Sequence, residues 1–328
     1  MTIIDKYIRY ISDIRRYSPR TVQIYSDVLN RYLFKIYEGR QASDEDIIAS
    51  LNRSEIRQYE AVLLEEGISP RTVGLHLSAL SSLCRYLVKT GVLQSNPVSL
   101  VTKPKVEKRL PLYFRKQSMD EYFERTSYLL EEDELDFFKA NWNTVSGKAL
   151  YDERLARLIV SLLYGLGLRR SELIGLQTGN VDFGRNVVKV LGKGDKMREI
   201  PLIASLCKEI SLYLEAVETV CEGKRSLKEP LLITYKGKSL YPAYVDRVVK
   251  SELGDVKGIT GRKSPHVLRH SLATELLNEE ASINSIKELL GHSSLAATQV
   301  YTHTDISRLK TIYESAHPRA KNGGKNGD

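Results

Sequence analysis

Lys263–Asp305 reads KSPHVLRHSLATELLNEEASINSIKELLGHSSLAATQVYTHTD, and it holds four of the chain's six histidines: His266, His270, His292 and His303. Ser264-Pro265 predicts a helix start, with Ser264 at the cap and Pro265 at the first helical position. His266 then shares a helix face with Arg269 and His270, three and four residues on. That end of a helix carries partial positive charge and suits an anion. A second helix is predicted over about Ile283–Leu290, stopped by Gly291 as a C-cap. His292 follows at once, and nine residues later comes Tyr301.

Two imidazoles, a guanidinium and a phenol suit phosphoryl chemistry. Arginine clamps phosphate oxygens, histidine moves protons, and a tyrosine oxygen can become a covalent nucleophile. Taken singly, each residue reads as a solvated helix end or as packing. Together, His266-Val-Leu-Arg269-His270, then Leu-Gly291-His292, then Val-Tyr301-Thr-His resemble the active-site motifs of the tyrosine recombinases. Upstream, Gly167-Leu-Arg169-Arg170-Ser171-Glu172-Leu173 matches that family's first arginine motif, whose register favours Arg169 over Arg170. Ser171 reads there as an N-cap.

The resemblance covers nearly the whole chain of 328 residues, enough for two domains. It implies a mainly α fold with a small antiparallel β-sheet: a helical, SAM-like core-binding domain followed by a mixed α/β catalytic domain of the DNA breaking-rejoining type. The apolar spacing supports the first part. Helices are predicted from Ile3 to Ile14, from Ser18-Pro19 to Gly39, over Asp44–Leu51, from Ser54 to Glu66, and from Ser69-Pro70 to Lys89. Residues 1–102 therefore form one helical domain. Residues 103–116 read as a basic linker, with six basic residues against Glu107. The catalytic domain is expected over 110–318 and a disordered tail over 319–328. Within the catalytic domain, helices are expected at about 118–130, 152–165, 203–221 and 241–252. Short strands are expected at Val181–Phe183, Val187–Leu191 and Met197–Ile200. The stretch from Glu131 to Ala149 departs from compact family members and has no functional reading.

The resemblance also assigns roles. Tyr301 would attack the scissile phosphorus and form a 3′-phosphotyrosyl bond, releasing a 5′-hydroxyl, on the way to a Holliday junction. Arg169 and Arg269 would clamp the non-bridging oxygens, and His292 would hydrogen-bond the same phosphate. His266 would accept the proton, with His270 bonding backbone behind it. Lys193, on the tip of the hairpin Gly192-Lys193-Gly194-Asp195-Lys196, would protonate the leaving oxygen, with Lys196 as the second choice. Fixed cations make a metal unnecessary, and no cofactor or ATP is implied. Arg20, Arg71, Lys105, Lys108 and Arg109 are candidate phosphate contacts, although solvated side chains read equally well for Arg20 and Arg71.

The totals agree with this reading without proving it. Lys plus Arg is 49 against 41 for Asp plus Glu, a net charge of +8 compatible with a polyanionic partner. Three scattered cysteines, Cys84, Cys207 and Cys221, lack metal-ligand spacing and read as reduced thiols. The opening residues lack an apolar run for a signal peptide or membrane span, so a cytoplasmic, nucleoid-associated protein is expected. The expected partners are double-stranded DNA at a specific site and a homo-tetramer, or a hetero-tetramer with a second recombinase, docked through Ile306–Ala316. A DNA translocase is a further candidate partner. The Tyr-Thr-His and the terminal His-Pro-Arg-Ala look most like the Xer chromosome-dimer recombinases. An integrase of a mobile element shares every catalytic residue. A type IB topoisomerase and a non-catalytic DNA-binding protein are the readings from other classes.

Overall fold

Small polar caps mark out the first five helices of the computed structural model, which describes residues 1–106, 112–192, 196–259, 261–279 and 281–291. The chain divides into two compact units, Met1–Arg109 and Leu110–Asp328. In the first, Thr2, Ser18, Ser43, Asn52 and Ser69 each accept a backbone N–H at the start of α1 (Ile3–Arg9), α2 (Pro19–Tyr37), α3 (Asp44–Ser50), α4 (Arg53–Glu65) and α5 (Pro70–Lys89). A π-helical turn, Tyr10–Ile14, extends α1. The left-handed turn after α2 begins at Glu38 (φ 51°), one residue before the expected Gly39. The core is rich in tyrosine, and two of its buried hydroxyls find partners close by. Tyr32 donates to the Ser50 carbonyl at 2.7 Å, and Tyr59 lies 2.7 Å from His76 Nδ1.

In the second unit α6 (Lys116–Arg125) and a 3-10 turn (Ser127–Leu130) replace the single helix expected at 118–130. The stretch without a reading is α7 (Glu132–Asn141) and the start of α8 (Val145–Gly165). The expected helix at 152–165 is thus only the later part of α8. The acidic run Glu132-Asp133-Glu134 sits in the first turn of α7, where the helix dipole favours it. From Leu150 onward α8 is almost wholly buried and forms the axis of the unit.

Short α9 (Arg170–Ile174) leads to β1 (Val181–Asp182), β2 (Val187–Leu191) and β3 (Met197–Pro201), an antiparallel sheet in that order. Val188 pairs with Ile200 and Val190 with Arg198. Helices α10 (Ala204–Val220), α11 (Pro242–Glu252), α12 (Pro265–Asn278) and α13 (Ile283–Leu290) complete the described part. The end of the stretch read as a linker packs within this unit. Phe114 is buried, and its amide donates to Ser271 Oγ on α12 at 2.7 Å. Among the described residues no helix is long and apolar enough to cross a membrane.

Candidate active site

Three guanidiniums converge on one buried carboxylate, that of Glu172. Arg198 grips it with both Nη atoms, at 3.0 Å to Oε1 and 2.9 Å to Oε2. Arg169 donates from Nη1 at 2.6 Å and from its own amide at 2.9 Å. Arg269 Nη1 lies 4.0 Å away. Burial alone would push the Glu172 carboxyl up, but the hydrogen bonds from Arg198 and the Arg169 amide outweigh it and hold it below its ordinary value. Three cations against one anion leave the cluster electropositive, as an anion-binding site requires.

The other wall of the cluster is the C-terminal end of α13. A helix leaves its last carbonyls without partners, at its negative pole. Here the carbonyl of Leu289 accepts from Arg198 Nε at 3.1 Å, that of Leu290 from Arg269, and that of Gly291 from Arg169 Nη2 at 3.1 Å. Arg269 also donates to the carbonyl of Gly167. Gly167 is left-handed (φ 58°), and a Cβ there would stand 2.5 Å from the Leu290 side chain. Only glycine lets the loop after α8 come this close to α12 and α13. Burial, reinforced by Arg169, lowers Arg269 to about 10, so its charge persists at neutral pH.

His266 stands exposed on the first turn of α12, its ring edge-on to His270 at 5.4 Å. Desolvation holds its imidazole below the ordinary value, and the positive charges of His270, Arg269, Arg169 and Arg262 act in the same direction. A neutral imidazole beside fixed cations is a proton acceptor at neutral pH.

The structure thus gathers Arg169, Arg269 and His266 in one place. Arg170 turns away to an ion pair with Asp246. Lys193, His292 and Tyr301 lie outside the described residues, as do Lys108, Arg109, the segment 306–316 and the tail. The base of the Lys193 hairpin is described, closed by the Gly192 amide on the Lys196 carbonyl at 2.8 Å. Arg20 and Arg71 are exposed in the first turns of α2 and α5, and Lys105 is exposed. Those two helix starts are near-copies. Ser18 and Ser69 each accept from a Thr amide at 3.2 Å. Among the described residues no cluster of three or more His, Cys, Asp or Glu could hold a metal ion.

Two local expectations need correction. Ser171 is not the cap of α9. Arg169 takes that position because Glu172 captures its amide. Ser264 does occupy the cap of α12, although its hydroxyl accepts no capping hydrogen bond. Among the described residues the His270 ring makes no backbone hydrogen bond behind His266. Its ring is exposed, and among the described residues its contact is the edge-on one with His266. Sequence reasoning missed the partnership of Glu172 with Arg198. A signal existed: strand alternation puts Arg198 on the inward face with Ile200, where an unpaired charge is not tolerated.

The phage integrase family model matches residues 129–308, and the phage integrase N-terminal SAM-like domain matches residues 4–91. Tyrosine recombinase XerC of Chlorobaculum parvum is 33% identical over 327 residues, covering 97% of this chain and 94% of the relative. XerC of Agrobacterium fabrum is 34% identical over 308 residues, covering 93% and 90%. Among solved structures, the Tn1549 transposon integrase in complex with transposon right end DNA shares the fold. Its TM-score is 0.61 at 19% identity, covering 95% of this chain and 98% of that one.

Proposed function

This chain belongs to the phage integrase family and is a tyrosine recombinase that cuts and rejoins DNA strands, and from that premise we propose which of its residues do the chemistry. Arg169 and Arg269 clamp the two non-bridging oxygens of the scissile phosphate and offset the charge of the pentavalent state. The Tyr301 oxygen attacks phosphorus and forms a P–O bond as the bond to the 5′-oxygen breaks. The phenol proton passes to neutral His266, and Lys193 gives the departing 5′-oxygen its proton. His292 holds the phosphate. Water does not take part, so the phosphodiester energy stays in the phosphotyrosyl bond for religation. The observation that carries this reading is the shared seat of Arg169 and Arg269 on Glu172, with His266 one turn before Arg269 on the same helix.

The role we infer is Xer-type resolution of chromosome dimers, by four protomers on two double-stranded DNA sites, with a second recombinase and a DNA translocase as candidate partners. Full-length similarity to proteins named XerC supports it. On the DNA, Arg20, Arg71, Lys105, Lys108 and Arg109 contact phosphates. The chemistry is tested on a nicked suicide duplex. Wild-type protein should become covalently attached to the 3′-phosphate, while Tyr301→Phe binds the duplex equally and forms no adduct. An adduct in Tyr301→Phe that maps to another tyrosine, such as Tyr313, would remove Tyr301 from its role.

A further inference from the structure

Arg198 has no place in the proposed chemistry, yet it is the most committed side chain of the cluster. It is 6% exposed, and Nε, Nη1 and Nη2 each donate to a partner inside the protein. All three of its nitrogens are thus engaged with protein groups. Its partners lie on two other elements: the carboxylate of Glu172 on α9 and the Leu289 carbonyl of α13. Two glycines close over it. A Cβ on Gly291 would lie 3.2 Å from Arg198 Cδ and Nη1, and one on Gly192 would lie 3.4 Å from Nη1. Gly192 opens the hairpin that carries Lys193, and Gly291 precedes His292.

Without Arg198, Glu172 would keep only the Arg169 hydrogen bonds and the more distant Arg269, with freedom to rotate about them. A fork fixes a carboxylate in plane and orientation, whereas a single ammonium does not. The same guanidinium joins strand β3 to the end of α13, whose next two carbonyls hold Arg269 and Arg169.

We propose that Arg198 is a positioning residue for strand cleavage: it locks Glu172 and the C-terminal carbonyls of α13 into one cradle that presents Arg169 and Arg269 to the scissile phosphate. The proposal rests on the reading of those two arginines as the phosphate clamp. It adds that the clamp's geometry is set from β3, the strand leading away from the Lys193 hairpin. Displacement of reacting groups by about 1 Å costs on the order of 10²-fold in rate, and loss of Arg198 is expected to act on that scale.

The test uses full-length protein, with Arg198→Met, Arg198→Lys and, as a reference, Arg169→Ala. Duplex affinity and single-turnover cleavage are measured on a suicide duplex with a natural scissile phosphate and with a methylphosphonate there. The methyl group removes the negative charge that the clamp must offset. Arg198→Met should bind DNA as wild type does and cleave the natural phosphate about 10²-fold more slowly. Its defect should shrink on the methylphosphonate in parallel with that of Arg169→Ala. Arg198→Lys keeps a cation in the core but cannot fork, and should show the same pattern; it carries the test if circular dichroism shows Arg198→Met unfolded. Wild-type cleavage by either variant would overturn the proposal. So would a defect equal on both substrates, which marks a general loss of structure. If instead Arg169→Ala cleaves normally, the clamp reading itself fails and the proposal falls with it.

Discussion

At His266 the sign of the electrostatics can be worked through to a pH profile. A proton acceptor must be neutral, and imidazole is neutral above its pKa. Desolvation lowers that pKa, and the surrounding cations lower it further. The acid limb of cleavage should therefore lie below the ordinary imidazole value, leaving the base fully available at neutral pH. His270 is the largest charged contributor after burial. It is exposed, so His270→Gln removes a neighbouring positive charge without opening the core. The acid limb of single-turnover cleavage, measured from about pH 5 to about pH 8, should move to higher pH in that variant. Rates near neutrality should stay the same. An acid limb that does not move would mean that a group other than His266 controls it.

At the scale of elements, what was legible in the sequence is what local chemistry determines. Ser-Pro starts gave α2 and α5 their first residues, and alternation around a Gly-rich turn gave β2 its bounds and β3 its start. Arg169 and Arg269 were legible from their motifs, but the carboxylate and third arginine between them were not. That contact joins residues 26 positions apart through a fold that no local pattern encodes. The α7–α8 corner was hidden for a different reason. Gly147 reads as a helix breaker, yet it lies in the first turn of α8, its amide on Thr144 Oγ1 at 3.0 Å. A Cβ there would be 2.1 Å from the Asn141 carbonyl oxygen at the end of α7. Two effects then oppose each other in Gly147→Ala. Helix propensity favours alanine by about 1 kcal/mol. Overpacking against backbone, which cannot rotate away, costs about 1–3 kcal/mol. The clash should win, and the urea midpoint of the catalytic unit should fall in Gly147→Ala. A higher midpoint would show that the corner opens at little cost.

For the whole molecule the question is where the net charge of +8 acts. Motifs identify the chemistry, but duplex affinity comes largely from phosphates neutralised along the backbone, a term that carries no sequence signature. Arg20 and Arg71 stand on copied helix starts, exposed and free of an acidic partner among the described residues. The basic stretch that ends the first unit adds Lys105, Lys108 and Arg109. Changing these three to glutamine takes the net charge from +8 to +5 (8 − 3), which weakens long-range attraction whether or not they touch DNA. Affinity at one salt concentration therefore cannot tell contact from field. The slope of log K against log salt can, because each neutralised phosphate contributes about 0.9 to it. If all three side chains lie on phosphates, the slope should flatten by about 2.7, and specific and non-specific duplexes should lose affinity alike. A slope that stays as it was, with affinity reduced only at low salt, would place the three in solvent and leave the helices of the first unit and the arginine cradle to hold the DNA.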